Sequence, residues 1–270
     1  MDRTLYCNEA KGLEILRDGP SVLVKEEGKS GRRIPVALIG RAVIIGNIRL
    51  DAGIITLLAD NHIPVVFMNK KGEELAITIP FNHELPLHHE EQKIFLKTER
   101  NIRSFQTWLF SQRRKLQLNT IKRLSESAAK NMTSQGFREK EYKLFISRCV
   151  AGKEVLYKTA KNIINNLLKE IVVESVVKAD LDPHIGVLNR RHNFGLILDI
   201  FYAIEPEADL QSIMFIKASE GNNETFSAQN LKSEDMKDIA HRFENKRRIV
   251  REMVEGIIDD IFKLMRELRL

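Results

Sequence analysis

The rhythm of hydrophobic and polar positions changes once along the chain. In roughly the first third, apolar residues come in short runs, LEILR, SVLVKEE, VALIG, AVIIG, IPVVFMN and ELAITIP, set apart by turn-forming residues such as Asp18-Gly19-Pro20. Short runs bounded by Gly, Pro, Asn and Asp read as strands. One stretch departs from this pattern. In LDAGIITLLADNHIP, Ile54, Leu57 and Leu58 recur at helical spacing, Asp51 offers an N-cap oxygen, and Asn61 ahead of Pro64 marks a stop. A single short helix feeding the strand IPVVFM is predicted there.

From about Glu90 onward the apolar residues follow the helical period. In IRSFQTWLFSQRRKLQLNTIKRL, Ile102, Phe105, Leu109 and Leu116 share one face, with Arg113, Arg114 and Lys115 off it. Further helices are predicted over KEYKLFISRCV, KEVLYKTAKNIINNLLKEIVVESVVKAD, NFGLILDIFYAI, ADLQSIMFIKA, SEDMKDIAHRF and NKRRIVREMVEGIIDDIFKLMREL, with a mobile loop at SEGNNETFS. Eight of the 14 glycines precede Glu73, and no proline lies between Pro86 and Pro183. The fold class is therefore α+β, a small N-terminal β-rich domain followed by a larger all-helical one. The expected division is residues 1–82 as a β-rich packing or dimerisation domain, 83–90 as linker, and 91–270 as the helical domain.

Composition narrows the class without naming a chemistry. A hydrophobic share of 43% beside 30% charged residues is that of an ordinary globular protein. No apolar run approaches the roughly 20 residues of a membrane helix, and MDRTLYCNEAKG lacks a signal-peptide core, so a cytosolic, cytoplasmic protein is expected. Cys7 and Cys149 fit no metal or redox spacing and read as reduced, partly buried thiols. A formal charge of +6 permits a polyanionic partner, although the excess is spread over many charged residues.

No glycine-rich phosphate loop, zinc signature or nucleophile elbow is present. What remains is polar residues on helices and in LDPHIGVLNRRHNFGLILDIFYAIEP, a segment that reads either as a metal site or as a helix boundary with polar trim. Asp199 interrupts the apolar run GLILDIFYAI, where a buried carboxylate costs several kcal/mol unless a cation or hydrogen bonds compensate. His184 and His192 read as loop or capping residues, and Glu126 in IKRLSESAAKNM as a helical glutamate. The basic groups Arg113-Arg114-Lys115, Arg190-Arg191 and Lys246-Arg247-Arg248 are candidate phosphate contacts or solvated helix faces.

Taken in order, these pieces resemble one family over nearly the whole chain. IPVALIGRAVIIGNIRLDAGIITLLADNHIPVVFMNKKGE is similar to the strand, glycine turn, short helix and strand succession of the CRISPR-associated spacer-acquisition endonuclease and integrase, Cas-one. NIINNLLKEIVVESVVKADLDPHIGVLN leading into LILD is similar to its C-terminal half. The resemblance implies a homodimer formed through the β-domain, a helical catalytic and DNA-binding domain, Mg2+- or Mn2+-dependent cutting and joining of duplex or branched DNA, and a small partner, Cas-two.

The resemblance also assigns residues. Glu126 and Asp199 fall on the family's catalytic, metal-binding acids. Its histidine falls at Asn189, which retains an amide oxygen as a ligand, its second acid at Tyr202, and a later arginine at Glu205. His192, one helical turn beyond Asn189, is a substitute for the missing imidazole. The function implied is a CRISPR adaptation protein, a metal-dependent endonuclease/integrase with weakened activity. The alternative is a catalytically inactive DNA-binding scaffold of the same fold.

Overall fold

Cys7 and its neighbours form β1 (Arg3–Asn8), and the Asp18-Gly19-Pro20 turn joins β2 (Glu14–Asp18) to β3 (Ser21–Lys25) as the sequence predicts. The structure is a computed structural model, and it describes residues 3–69, 74–78, 85–220 and 233–268. The chain divides into two units, residues 1–84 and 85–270. The first is strand-rich and the second helical, the expected α+β class.

In the first unit β1, β5 (Ile39–Ile45), β7 (Val65–Met68) and β8 (Glu74–Thr78) form one sheet, and β4 (Arg32–Pro35), β3, β2 and β6 (Arg49–Leu50) another. Strands β5 and β7 pair in parallel, which a tight turn cannot achieve, so helix α1 (Ala52–Asp60) lies between them in sequence. Asp51 caps α1 by accepting from the Gly53 amide at 3.0 Å, and Ile54, Leu57 and Leu58 are its buried stripe. They join Ile15, Val22, Ile44 and Val65 in the core of this unit. The sequence pattern did not flag β1 or β4. RTLYCN and RRIP lack the apolar runs on which strand recognition rests.

The second unit contains α2 (His89–Phe95), α3 (Glu99–Leu124), α4 (Glu126–Gln135), α5 (Glu139–Cys149), α6 (Glu154–Lys178), α7 (Gly195–Glu220), α8 (Ser233–Glu244) and α9 (Arg247–Glu267). Helix α7 is its axis, packed by α3 and α6, with α9 on α6. Leu196, Ile200, Ala203, Ile204, Leu210, Ile213 and Ile216 are all buried, and so are Asp199 and Asp209, so α7 is enclosed nearly all round, as a central helix must be. The predicted loop SEGNNETFS begins at the end of α7, and its remainder lies outside the described residues, as do residues 83–84 at the start of the expected linker.

Two expectations change together. The segments NFGLILDIFYAI and ADLQSIMFIKA, read as separate helices, form one helix that runs through Pro206. A proline has no N–H, so the carbonyl four residues earlier, that of Tyr202, loses its helical partner. The Arg113 guanidinium donates to that carbonyl instead. Arg113, placed off the apolar face by the sequence pattern, is therefore part of the buried stripe of α3, at 7% exposure, in line with Phe105 and Leu109. Leu116 is only half-buried.

Candidate functional site

The segment between α6 and α7 is held by two acids. Asp182 accepts from the His184 amide at 2.8 Å, meets His89 Nδ1 at 2.6 Å, and its main chain exchanges two hydrogen bonds with the Gln92 side chain. This pins the segment to α2. Further on, Gly186 and Gly195 bring two backbone stretches into contact. A Cβ on Gly195 would lie 2.6 Å from the Asn189 carbonyl oxygen, and one on Gly186 would lie 2.4 Å from the Gly195 carbonyl carbon. Only glycine permits that approach.

The approach delivers three consecutive amides to Asp199 on the second turn of α7. One of its oxygens accepts from the Val187 amide at 2.5 Å and the Leu188 amide at 3.1 Å; the other accepts from the Asn189 amide at 3.1 Å and Asn189 Nδ2 at 2.7 Å. Asp199 is fully buried, at 0% exposure. Burial pushes its carboxyl above the usual range, and the four donors oppose that rise. Four hydrogen-bond donors compensate the buried charge, as the helix-boundary alternative left open by the segment requires.

Glu126 stands elsewhere. Ser125 caps α4 by accepting from the Ala128 amide at 3.3 Å, and Glu126 in the first turn is 66% exposed, pairing with Lys130 at 3.2 Å. Among the described residues no three His, Cys, Asp or Glu side chains come together in a way that could hold a metal ion. Mg2+ or Mn2+ asks for hard oxygen ligands in near-octahedral array. Both oxygens of Asp199 are occupied by donors, Asn189 is turned so that its Nδ2 serves Asp199, and burial holds the Tyr202 phenol above its ordinary value, hence neutral. His192 is exposed in the loop and engages Asn189 only through the backbone. These residues do not fit the ion.

The Tyr202 face of α7 carries a different construction. Arg113 lies over the Tyr202 ring at 4.3 Å and pairs with Glu205 at 3.0 Å and Glu139 at 3.2 Å. Lys161 bridges Glu205 at 2.9 Å and Asp209 at 2.6 Å, and the Tyr142 and Tyr157 hydroxyls donate to Asp209. Burial alone would raise the Glu205 carboxyl; Lys161 and Arg113 more than reverse this, and it sits below the usual range. The network joins α3, α5, α6 and α7. Sequence reasoning missed it because its members are far apart in the chain, and only Tyr202 and Glu205 were singled out beside Arg113.

The eight basic candidates separate by burial. Arg113 is inside, and so is Arg247, whose guanidinium meets Glu174 of α6 at 2.8 Å. Neither is available to a phosphate, a correction to the sequence reading that follows from their carboxylate partners. Lys246 is half-buried, and burial lowers its ammonium from the ordinary value. Arg114, Lys115, Arg190, Arg191 and Arg248 are exposed. No helix among the described residues is long and apolar enough to cross a membrane.

Solved structures with this arrangement exist. A Cas1 protein from Thermotoga maritima aligns over 97% of both chains with a TM-score of 0.77 at 17% identity. A casposase bound to its integration product aligns over 91% of this chain and 82% of its own, with a TM-score of 0.68 at 16% identity. A Cas6-RT-Cas1–Cas2 complex aligns over 99% of this chain and 35% of its own, with a TM-score of 0.72 at 11% identity. At such identities the likeness shows the fold. No curated protein matches the chain. The family model for CRISPR associated protein Cas1 matches residues 6–149, from the first strand through the last residue of α5, and the chain belongs to that family.

Proposed function

We propose that this Cas1-family chain serves CRISPR adaptation as a DNA-binding structural subunit that does not itself carry out metal-dependent cutting or joining. The observation that carries this reading is the state of Asp199. The acid assigned to a metal by resemblance has both oxygens engaged by the loop 187–189, and Glu126 is an exposed carboxylate paired with Lys130. Exposed Arg114, Lys115, Arg190, Arg191 and Arg248 supply phosphate contacts whose affinity falls with salt. A homodimer formed through residues 1–82 and a small Cas2 partner belong to the same reading, supported by membership of the family and by the likeness to a chain solved in a Cas6-RT-Cas1–Cas2 complex.

The test incubates a branched DNA with the protein in manganese and in chelator, beside Glu126→Ala. Binding that weakens with salt, with no cleavage or strand joining that depends on both manganese and Glu126, is expected. Manganese-dependent cleavage or joining that disappears in Glu126→Ala would restore the endonuclease/integrase reading and refute this one.

A further inference from the structure

The loop 187–194, closed at its base by the contact of Gly186 with Gly195, is held from three sides. From inside, Asp199 draws in the amides of residues 187–189. Across the base, the Phe194 amide donates to His184 Nδ1 at 3.1 Å, with the two rings 4.6 Å apart. This keeps Phe194 at a φ of 62°, a left-handed backbone that a bulky side chain rarely adopts. At the tip, the His192 amide donates to the Asn189 carbonyl at 3.1 Å and closes a turn. What the loop presents outward is positive charge. Arg190 and Arg191 are exposed and adjacent, and among the described residues neither meets a carboxylate. Arg190 Nε donates to the Val187 carbonyl at 3.1 Å, which anchors the guanidinium to the loop and leaves its two terminal nitrogens without a partner among the described residues.

We propose that Asp199 and His184 are positioning residues for DNA: by fixing the loop 187–194 they hold Arg190 and Arg191 as a rigid pair of contacts to two backbone phosphates. The proposal rests on the DNA-binding reading and names the residues that prepare the contact. Three physical points carry it. Burying a carboxylate is costly, and every donor that offsets the cost at Asp199 belongs to this loop, so what the acid fixes is the segment that bears the arginines. An arginine fork whose terminal nitrogens are unengaged has the donor geometry for a phosphate, which it meets with two parallel hydrogen bonds. Side chains on a segment that is already ordered lose less freedom on binding, so the same two cations bind more tightly from a fixed loop than from a mobile one.

Affinity for a blunt duplex is measured by fluorescence anisotropy at about 50 and about 200 mM salt, the range over which phosphate contacts are lost. The proteins are the wild type, Arg190→Gln with Arg191→Gln, Asp199→Asn, His184→Ala, and each of the last two combined with the arginine pair, all held below their melting transitions. Each neutralised phosphate contributes about 0.9 to the slope of log affinity against log salt, so without the two arginines the loss of affinity across this range should be about tenfold smaller. Asp199→Asn and His184→Ala should each reduce the salt dependence part of the way with the arginines present, and leave it unchanged once the arginines are gone. A substitution that only lowers stability does not move the salt dependence of the folded protein. His184 is exposed, so its variant keeps the proposal testable if Asp199→Asn unfolds. A salt dependence unchanged in the arginine double variant overturns the loop contact and leaves the DNA-binding reading standing. A positioning variant that keeps the wild-type salt dependence, or shifts it equally with and without the arginines, overturns the role of that residue. Absence of salt-sensitive binding in the wild type overturns both the proposal and the reading beneath it.

Discussion

Replacing Asp199 with Asn separates a clamp from a metal ligand by the sign of its effect. The substitution keeps the shape of the side chain, removes the charge and turns one acceptor oxygen into a donor, so two of the four N–H groups now facing the carboxylate lose their partner. An unsatisfied buried donor costs about 1–3 kcal/mol, and relief of the buried charge returns part of that. The expected net loss is about 3 kcal/mol, which for a unit of this size lowers Tm by roughly 6–12 °C. Trp108 on α3 is the only tryptophan of the chain and lies in the helical unit, so its fluorescence during urea or thermal unfolding reports that unit selectively. A metal-ligand carboxylate behaves in the opposite way: without its ion it is a strained charge, and its removal leaves the protein equally or more stable. An Asp199→Asn protein with an unchanged or raised Tm would refute the clamp and the reading of function built on it.

Two further predictions use the same assay. Gly195→Ala forces a Cβ to within 2.6 Å of the Asn189 carbonyl oxygen and should lose about 1–3 kcal/mol, whereas Gly256→Ala inside α9, with open space around its Cβ, should gain about 0.5–1 kcal/mol; equal effects at the two sites would contradict the close approach of the loop to α7. Glu205 and Glu139 both titrate below the ordinary carboxylate value, so the stability they contribute is present above about pH 4.3, the unfolded value, and is lost as pH falls through their folded values. Arg113→Met should therefore be destabilised at pH 7, by about 2 kcal/mol once the partial exposure of the glutamates is allowed for, with the gap to wild type closing as pH falls towards 3; a gap independent of pH would show that Arg113 acts through the Tyr202 carbonyl and packing alone.

Much of this molecule is written locally. The cap of Asp51 on α1, the stripe Ile54, Leu57 and Leu58, the hairpin at Asp18-Gly19-Pro20 and the long helices α3 and α6 follow from spacing and turn chemistry within one segment, and the ordered succession of segments carried the family resemblance. The sequence also showed that Asp199 had to be compensated, because a carboxylate inside GLILDIFYAI cannot be buried bare. It did not show by what.

Compensation is decided by groups that approach through space. The amides of residues 187–189 reach Asp199 because Gly186 and Gly195 let two backbones touch, and Arg113 belongs to the core because Pro206, far along the chain, leaves the Tyr202 carbonyl without a donor while Glu139 and Glu205 neutralise the guanidinium. A periodicity argument sees only one helix at a time, so it counted Arg113 and Arg247 among the surface cations and read the helix through Pro206 as two. Local spacing determines which elements form; the pairing of buried polar groups depends on which distant elements meet, and that is a property of the tertiary structure alone.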